Sequence, residues 1–284
     1  MKTMTVQQFF RLFPDDDACL EHLMTVRYGK NIECPKCWKR SNFSKLAKVP
    51  AYSCQWCGHH VHPMVGTPFE RSHTALQKWF YAMYLFTTSR HGVPAKELQR
   101  QLGVTYKTAW RMAHEIRKYM GKVDGTGTLS GHIEVDETLI GGSREGEGYA
   151  NRRRDKALVV GAVERGGELV TAVVPNASQA VLEPFVTALV EPGSKITTDE
   201  WRAYNDLGQI YDHQKINHAA KEYVRGDRHT NTIEGFWAII KRSIRGTHVH
   251  VSVKHLPKYL GEFEFRWNRR ATPWVMMDAL LKAF

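Results

Sequence analysis

Four cysteines in two close pairs carry the most specific chemical pattern in this sequence. Cys34 and Cys37 form "CPKC", and Cys54 and Cys57 form "CQWC" after 16 intervening residues. Two such pairs, roughly 15 to 20 residues apart, are typical of a zinc site. Four thiolates complete the tetrahedron that Zn²⁺ accepts and leave no open position for chemistry. The spacing therefore predicts one structural zinc.

Other residues near this pattern have different explanations. Cys19 lies outside it, and we predict that it is a small core residue. His59, His60 and His62 follow the second pair and could in principle replace a thiolate. Because four thiolates are already available, we expect these histidines to face solvent or DNA.

Three acidic residues suggest a second metal site. Asp136 falls late on the predicted strand "HIEVDETLIGG", and Asp199 ends the predicted strand in "SKITTDEWRAY". Glu234 lies on the helix that begins in "HTNTIEGFWAIIKR". Two strand aspartates and a helix glutamate can converge on two divalent ions, which activate a water or hydroxyl and stabilise the leaving oxygen of a phosphodiester displacement. Oxygen ligands favour magnesium or manganese.

Each acid also has a purely structural interpretation. An aspartate at a strand end is commonly a turn or cap residue. Asn231 could be the N-cap of its helix, with Glu234 completing a capping box three positions later. The two interpretations are compatible if Asn231 fixes the start of the helix and Glu234 points toward the strand aspartates. Asn231 could then also contact metal or water.

Neighbouring glutamates are alternative candidates for the metal ligands at Asp136 and Asp199. Successive side chains of a strand point to opposite faces, so Glu137 and Glu200 should point away from Asp136 and Asp199. Glu134 shares the face of Asp136 and is the weaker candidate for the same role.

The elements that position these residues follow from the hydrophobic pattern. We expect a helix at 5–13 that stops at "PDDD", within an N-terminal helix and zinc-ribbon segment, 1–68. A helical segment, 69–122, breaks at Gly103 and restarts at Thr105, the outline of a helix-turn-helix. A Gly-rich linker, 123–131, precedes a domain at 132–284 with the order strand, hairpin with an "RGG" turn, helix, strand, then helices.

The helix from Thr105 has two different faces. Three residues that share one face should pack: Ala109, Ala113 and Ile116. Four that share another are basic: Lys107, Arg111, His114 and Lys118. Lysine and arginine on one helical face contact phosphates and guanine edges in the major groove, although such faces are usually only solvated.

The charge of the whole chain indicates a polyanionic partner. Lysine and arginine outnumber aspartate and glutamate by 40 to 29, so the net charge is +11, which favours double-stranded DNA. Residues 225–270 contain ten basic side chains against four acidic ones, including Lys241 and Arg242. "NRRRDK" adds Arg152, Arg153 and Arg154 in a predicted loop. Trp237 and Trp267 are expected in the core.

The sequence also argues against some classes of protein. The N-terminus lacks the features of a signal peptide, and no apolar run approaches the roughly 18 residues of a membrane span. We therefore expect a cytoplasmic protein without a membrane partner, in which cysteines stay reduced and close pairs favour metal.

Together, the motifs carry a resemblance to a known family. The cysteine pairs, "GTPFERSHTALQKWF", "IEVDETLIGG", "TTDEWRAY" and the segment from His229 to Arg270 resemble a bacterial insertion-sequence transposase of the zinc-ribbon DDE type. The resemblance implies a multidomain α/β protein in which a zinc ribbon and a helical DNA-binding region precede a ribonuclease-H-like domain. It also implies that Asp136, Asp199 and Glu234 form a metal-binding triad, and that Lys241 lies near the transposon end.

The leading hypothesis is therefore a transposase that cleaves DNA at the ends of an element and joins the freed 3'-hydroxyl to target DNA. Concerted joining of two ends favours a homodimer or larger assembly on DNA. Two alternatives stay open: a ribonuclease-H-like nuclease or resolvase that does not join strands, and a non-catalytic zinc-ribbon regulator that only binds DNA.

Overall fold

The structure divides into two compact units. It is a computed structural model that describes residues 4–29, 31–123, 127–141, 156–216, 224 and 226–284. The first unit comprises Met1–Ser89, Ala95–Tyr119 and Thr272–Phe284, and the second comprises Arg90–Pro94 and Met120–Ala271. The C-terminal segment from Thr272 thus belongs by its contacts to the first unit, whereas the hydrophobic pattern grouped it with the domain at 132–284.

Capping residues set the first two helices. Helix α1 (Val6–Leu12) confirms the helix predicted at 5–13, and Thr5 and Gln8 form its capping box. Helix α2 (Asp16–Tyr28) lies outside the predicted elements. "PDDD" ends α1 as expected but also starts α2, because the Asp15 carboxylate accepts a 2.8 Å hydrogen bond from the Ala18 backbone N–H.

Four short strands form the N-terminal ribbon: β1 (Asn31–Glu33), β2 (Arg40–Lys45), β3 (Tyr52–Cys54) and β4 (His60–Val61). They pair antiparallel in the order β1-β2-β3-β4. The first cysteine pair lies in the turn between β1 and β2, and the second lies at the end of β3 and in the turn that follows it. This arrangement confirms the predicted ribbon.

Three helices follow the ribbon: α3 (Leu76–Thr88), α4 (Ala95–Leu102) and α5 (Tyr106–Val123). Gly103 separates α4 from α5 with a φ of +60°, a left-handed conformation that glycine adopts readily. The Thr105 hydroxyl accepts a 3.2 Å hydrogen bond from the Thr108 backbone N–H at the start of α5. The predicted break and restart are confirmed.

The second unit is built on a mixed five-stranded sheet. Its strands are β5 (His132–Ile140), β6 (Ala157–Glu164), β7 (Leu169–Val174), β8 (Lys195–Thr198) and β9 (Asp212–Lys215), in the order β7-β6-β5-β8-β9. Strands β5, β6 and β7 are antiparallel neighbours, while β8 and β9 continue parallel to β5. The pattern did not predict β9, because its sequence "DHQK" is polar and lacks apolar alternation.

Helices cover both faces of this sheet. Helix α6 (Gln179–Leu189) and a 3₁₀ segment (Arg202–Gln209) pack on one face, and α7 (Asn231–Ser243) and α8 (Leu256–Asn268) pack on the other. Strand β5 directs Ile133 and Val135 into the core under α6 and the 3₁₀ segment. Glu134 and Asp136 point to the other face and contact residues of α7. Strand alternation thus turns Asp136 toward the layer that carries Glu234.

The last helix, α9 (Met276–Lys282), completes the first unit. Its buried residues include Met276, Leu280 and Leu281. Within the described ranges, no helix has both the length and the apolar character needed to cross a bilayer.

Candidate metal centres and DNA-binding residues

The four paired cysteines converge on one point. The sulfur atoms of Cys34, Cys37, Cys54 and Cys57 all lie within 4.8 Å of one another. Two of the Sγ–Sγ separations are 3.7 Å and 3.9 Å. A tetrahedral zinc with Zn–S bonds of about 2.3 Å requires separations of roughly 3.8 Å, so the cluster fits a structural zinc.

The residues around this cluster behave as expected. Cys19 is fully buried, and burial, followed by the charges of Asp16 and Asp15, raises the pKa of its thiol to about 12. This confirms its assignment as a core residue. His60 and His62 are exposed, and His59 is half-buried. None of the three histidines belongs to the four-residue cluster.

Asp136 lies on β5 of the second unit, and Asp199 directly follows the neighbouring parallel strand β8. The register pairs Ile133 with Ile196 and Glu134 with Thr197, residues 63 positions apart. Asp136 and Asp199 have the same offset, and the charge of Asp199 acts on Asp136, so the two residues lie near each other where β8 ends. The Asp199 carboxylate also accepts a 2.9 Å hydrogen bond from the Trp201 backbone N–H, so the structural role of a turn residue is present as well.

Burial and neighbouring negative charges raise the pKa values of Asp136 and Glu137. Burial, followed by the negative charges of Glu137 and Asp199, raises the pKa of Asp136 to about 7. Burial is also the largest cause that raises the pKa of Glu137, with a further contribution from Asp199. Because ionising one carboxyl opposes ionisation of the next, this end of the sheet favours a bound cation.

Glu137 nevertheless points to the other face of the sheet, as strand alternation predicts. Its carboxylate accepts a 2.6 Å hydrogen bond from the hydroxyl of Tyr204, a residue of the core under α6. The charge of Glu137 therefore reaches Asp136, while its side chain has a separate partner. Glu200 is exposed.

Trp237 of α7 contacts Asp136 directly. Its indole Nε1–H donates a 3.0 Å hydrogen bond to Asp136 Oδ2. Gly161 of β6 is the antiparallel partner of Asp136 on β5. A Cβ built on Gly161 would lie 2.8 Å from two ring carbons of Trp237. The indole thus needs a glycine at this position to reach the carboxylate. The prediction that Trp237 is a core residue is confirmed, and its polar contact is an additional finding.

The start of α7 differs from the prediction. Asn231 is the first helical residue and Thr230 occupies the N-cap position, without a side-chain cap hydrogen bond. The assignment of Asn231 as N-cap is therefore wrong. The Thr230 hydroxyl donates a 2.8 Å hydrogen bond to Glu234 Oε1. Glu234 is exposed on the first turn of α7, three residues before Trp237 and so on the same side of the helix.

Glu134 supplies the cap that the pattern assigned to Asn231. Its carboxylate is fully buried and accepts hydrogen bonds from the backbone N–H groups of Thr232, at 2.8 Å, and Ile233, at 3.1 Å. Arg165 Nε donates to the same carboxylate at 2.7 Å, and His229 Nδ1 lies 3.1 Å from it. Glu134, a weaker metal candidate in the sequence, thus anchors the first turn of the Glu234 helix to the sheet.

The three acids do not form a tight ligand group. Among the residues that the structure describes, only the cysteine cluster has three or more ligand atoms that all lie within 4.8 Å of one another. The charge of Asp199 acts on Asp136, while Glu234 lies one helical turn from the contact between Trp237 and Asp136.

Basic residues line a cleft at the end of β5, beyond Asp136. The cleft has a volume of about 470 Å³, and its walls include Glu137 together with Lys156, Lys241 and Arg245. Arg242, on the last turn of α7, is exposed. The predicted DNA contacts Arg152, Arg153 and Arg154 lie outside the described residues.

The basic face of α5 is only partly as predicted. Lys107, Arg111 and Lys118 are exposed, and Lys118 lies 3.7 Å from Glu115. The Arg111 guanidinium lies 5.4 Å from the ring centroid of Trp79. His114 is buried against Trp110, so its assignment to the basic face is wrong. The face expected to pack is confirmed, because Ala109, Ala113 and Ile116 are fully buried.

Comparisons with known proteins bear on both units. Residues 128–268 match the family described as the ISXO2-like transposase domain, a segment that contains all three acids. Residues 14–60 match the transposase zinc-ribbon domain, a segment that contains the four paired cysteines.

Two relatives extend this result. A protein from Halobacterium salinarum, named as an uncharacterized protein in transposable element ISH50, is 27% identical over 276 residues, which cover 90% of this chain and 92% of the relative. An uncharacterized transposase-like protein from Haemophilus influenzae is 32% identical over 102 residues, which cover 36% of this chain and 81% of the relative. The chain therefore belongs to the DDE-type insertion-sequence transposases that combine a zinc ribbon with an ISXO2-like transposase domain.

Proposed function

We propose that this protein binds the ends of an insertion sequence, cleaves them in a metal-dependent reaction and transfers the freed 3'-hydroxyl to target DNA. The observation that carries this proposal is the placement of Asp136 on β5 near Asp199, which directly follows the parallel neighbour β8, within the segment that matches the transposase family. The raised pKa of Asp136 supports it, because clustered carboxyls are unfavourable without a cation.

The domain that carries these acids is, in this proposal, ribonuclease-H-like. Its support is the sheet itself, in which three antiparallel strands are extended by two strands parallel to the central β5, with helices on both faces. Asp136 lies on the central strand, and Asp199 directly follows its parallel neighbour.

The donor chemistry of the three acids fits magnesium or manganese. Asp136 and Asp199 would hold the ions, and Glu234, on the same side of α7 as Trp237, would complete the ligand set. When bound, two such ions activate the attacking water or hydroxyl and stabilise the leaving oxygen of the displacement.

The other residues of the site would orient the acids or bind DNA. The Trp237 indole holds one oxygen of Asp136, and Glu134 holds the first turn of α7. Lys241 and Arg245 line a cleft with Glu137, the residue that follows Asp136, and they would offset carboxylate repulsion of DNA phosphates. Asn231, exposed at the start of the same helix, would play a supporting role toward metal or water.

DNA binding would involve residues of both units. We propose phosphate contacts by Lys107, Arg111 and Lys118 on α5, by Arg152, Arg153 and Arg154, and by Lys241 and Arg242 on α7. The reaction joins two element ends in concert, so the active form would be a homodimer or larger assembly on DNA.

The test is an assay that follows cleavage and strand transfer separately. Asp136→Asn, Asp199→Asn and Glu234→Gln should each abolish both magnesium-dependent steps while retaining binding to duplex DNA. Glu200→Gln changes an exposed neighbouring acid and serves as the matched control, with activity close to that of the wild type. Full activity in any of the three variants would remove that residue from the proposed triad.

The same assay separates the alternatives. Cleavage without joining of a 3'-hydroxyl end would indicate a nuclease or resolvase. Binding without any metal-dependent turnover would indicate a regulator.

A further inference from the structure

We propose that the zinc ribbon carries a stacking platform for unpaired DNA bases, formed by Trp38 and Trp56. These are the two most exposed phenylalanine, tyrosine or tryptophan side chains among the described residues, at 73% and 59% of full exposure. Each is in a different cysteine turn: Trp38 directly follows Cys37, and Trp56 lies between Cys54 and Cys57.

The backbone presents Trp38 in an unusual conformation. Its φ is +59°, in the left-handed region that glycine or asparagine normally occupies. Its backbone N–H donates a 2.9 Å hydrogen bond to the Cys34 carbonyl, which fixes the turn. The second cysteine turn has the same geometry, with Gly58 at a φ of +70° and its N–H bonded to the Cys54 carbonyl at 3.0 Å. The turn therefore requires this conformation, and at Trp38 it is occupied by an exposed tryptophan in place of glycine, at a cost in backbone strain.

Trp56 is fixed by a different contact. Its indole N–H donates a 2.9 Å hydrogen bond to the backbone carbonyl of Arg40, so the second cysteine turn is tied to the strand that follows the first. The four thiolates hold the same two turns together. Both tryptophans thus project from turns that the thiolates hold together, and the Trp56 ring, fixed by its hydrogen bond, loses little conformational freedom on binding.

The surrounding charge matches a nucleic acid backbone. Lys36, Lys39 and Arg40 are exposed, and the Lys39 ammonium lies 5.7 Å from the Trp56 ring centroid. Residues 31–62 contain five lysine or arginine side chains and one acidic side chain. Exposed aromatic rings among positive charges are the features that proteins use to bind single strands, because every base offers a face for stacking.

We assign single-stranded DNA as the partner because the faces of its bases are open to stacking. In a duplex, each base face is covered by its neighbours in the stack, so an exposed indole can stack only on an unpaired base. This inference rests on the proposed function, since cleavage at element ends and joining to target DNA expose unpaired bases. It assigns to the ribbon a preference that phosphate contacts alone would not produce.

The experiment measures binding of the full-length, zinc-loaded protein without magnesium or manganese, by fluorescence anisotropy. The probes are a labelled oligothymidine and a labelled duplex of the same length. Trp38→Ala and Trp56→Ala should each weaken oligothymidine binding about tenfold and leave duplex binding unchanged. Trp274→Ala removes an exposed tryptophan that lies beside residues of α1, Gln8, Arg11 and Leu12, and it should have wild-type affinity for both probes.

Two further measurements keep the result unambiguous. Zinc content of one ion per chain shows that a variant retains its ribbon. Trp56→Phe keeps a ring but loses the hydrogen bond to Arg40, so it should retain most of the affinity for oligothymidine. Unchanged oligothymidine binding in both alanine variants would overturn the proposal, as would an equal loss for the duplex. Because no catalytic metal is present, a failure of the proposed cleavage reaction would leave this test unaffected.

Discussion

The indole nitrogen of Trp237 lies 3.0 Å from a carboxylate oxygen of Asp136, 101 positions away in the sequence. This contact connects the helix that carries Glu234 to the central strand of the sheet. Its geometry depends on Gly161, which leaves space for the ring. The packing of α7 on the sheet and the orientation of Asp136 are therefore linked.

Replacing Trp237 should impair metal-dependent activity more than folding. Trp237→Phe keeps an aromatic ring on the sheet but removes the donor to Asp136. Loss of a residue that orients a ligand typically costs about 10- to 100-fold in metal affinity or activity. We expect the magnesium dependence of cleavage to shift to higher concentration. Trp267→Phe, on α8 against Phe236, is the matched control. Equal effects of the two substitutions would argue against an orienting role.

Adding a methyl group at Gly161 should destabilise the second unit. The new Cβ would lie 2.8 Å from ring carbons of Trp237, so the helix or the ring must shift. Overpacking of this kind costs about 1–3 kcal/mol. Urea unfolding of Gly161→Ala should show this decrease in the free energy of unfolding. Gly235→Ala, where the added Cβ meets nothing within 4 Å in α7, should instead be neutral or stabilising. A neutral Gly161→Ala would show that the ring has room to move.

Glu134 should matter for stability even though it is not a proposed metal ligand. Its buried carboxylate accepts from two backbone N–H groups of α7 and from Arg165. Removing one partner of a buried ion pair costs about 3–5 kcal/mol. Glu134→Ala should approach this range in urea unfolding, and Glu134→Gln, which keeps an acceptor oxygen, should lose less. The exposed Glu168→Gln should change stability by no more than about 0.5 kcal/mol. If Glu134→Ala has wild-type stability, Glu134 does not anchor α7.

The two classes of cysteine should respond differently to substitution. Cys54→Ser removes one of four clustered thiolates, so the protein should lose its zinc and the ordered structure of residues 31–62. Cys19→Ser changes a buried cysteine outside the cluster and should retain one zinc per chain. Metal analysis of the purified variants, together with circular dichroism before and after chelation, measures both effects. A Cys54→Ser protein that keeps stoichiometric zinc would contradict the four-thiolate site.

Acid should destabilise the second unit through His213. Burial, followed by the charges of Lys215 and Arg228, lowers the pKa of His213 from 6.5 to about 4. Between these values the unfolded chain binds a proton that the folded chain does not, so the free energy of unfolding decreases as the pH falls from 6.5 toward 4. His213→Gln removes this contribution, and its urea midpoint should depend less on pH across that window. The exposed His250→Gln should keep the wild-type dependence.

Local sequence patterns determined the zinc ribbon and the positions of several helices and strands in this protein. The spacing of the cysteines predicted the ribbon, because a tight turn with two thiolates is a local structure. Apolar alternation placed Asp136 on a strand and turned it away from Ile133 and Val135, since side chains of a strand alternate between faces. The same periodicity located α7 and α5, and the Gly103 break followed from the conformational freedom of glycine.

The tertiary structure decided which polar groups act together. Glu134 caps a helix that begins 97 positions later. The sequence pattern assigned that cap to Asn231, which lies at the start of the helix but is its first helical residue and not its N-cap. His114 has the spacing of a basic surface residue, yet packing against Trp110 buries it. Strand β9 has no apolar alternation and exists because it pairs with β8 at an edge of the sheet. These outcomes depend on hydrogen bonds and burial between segments that are distant in the sequence, and no local pattern specifies those contacts.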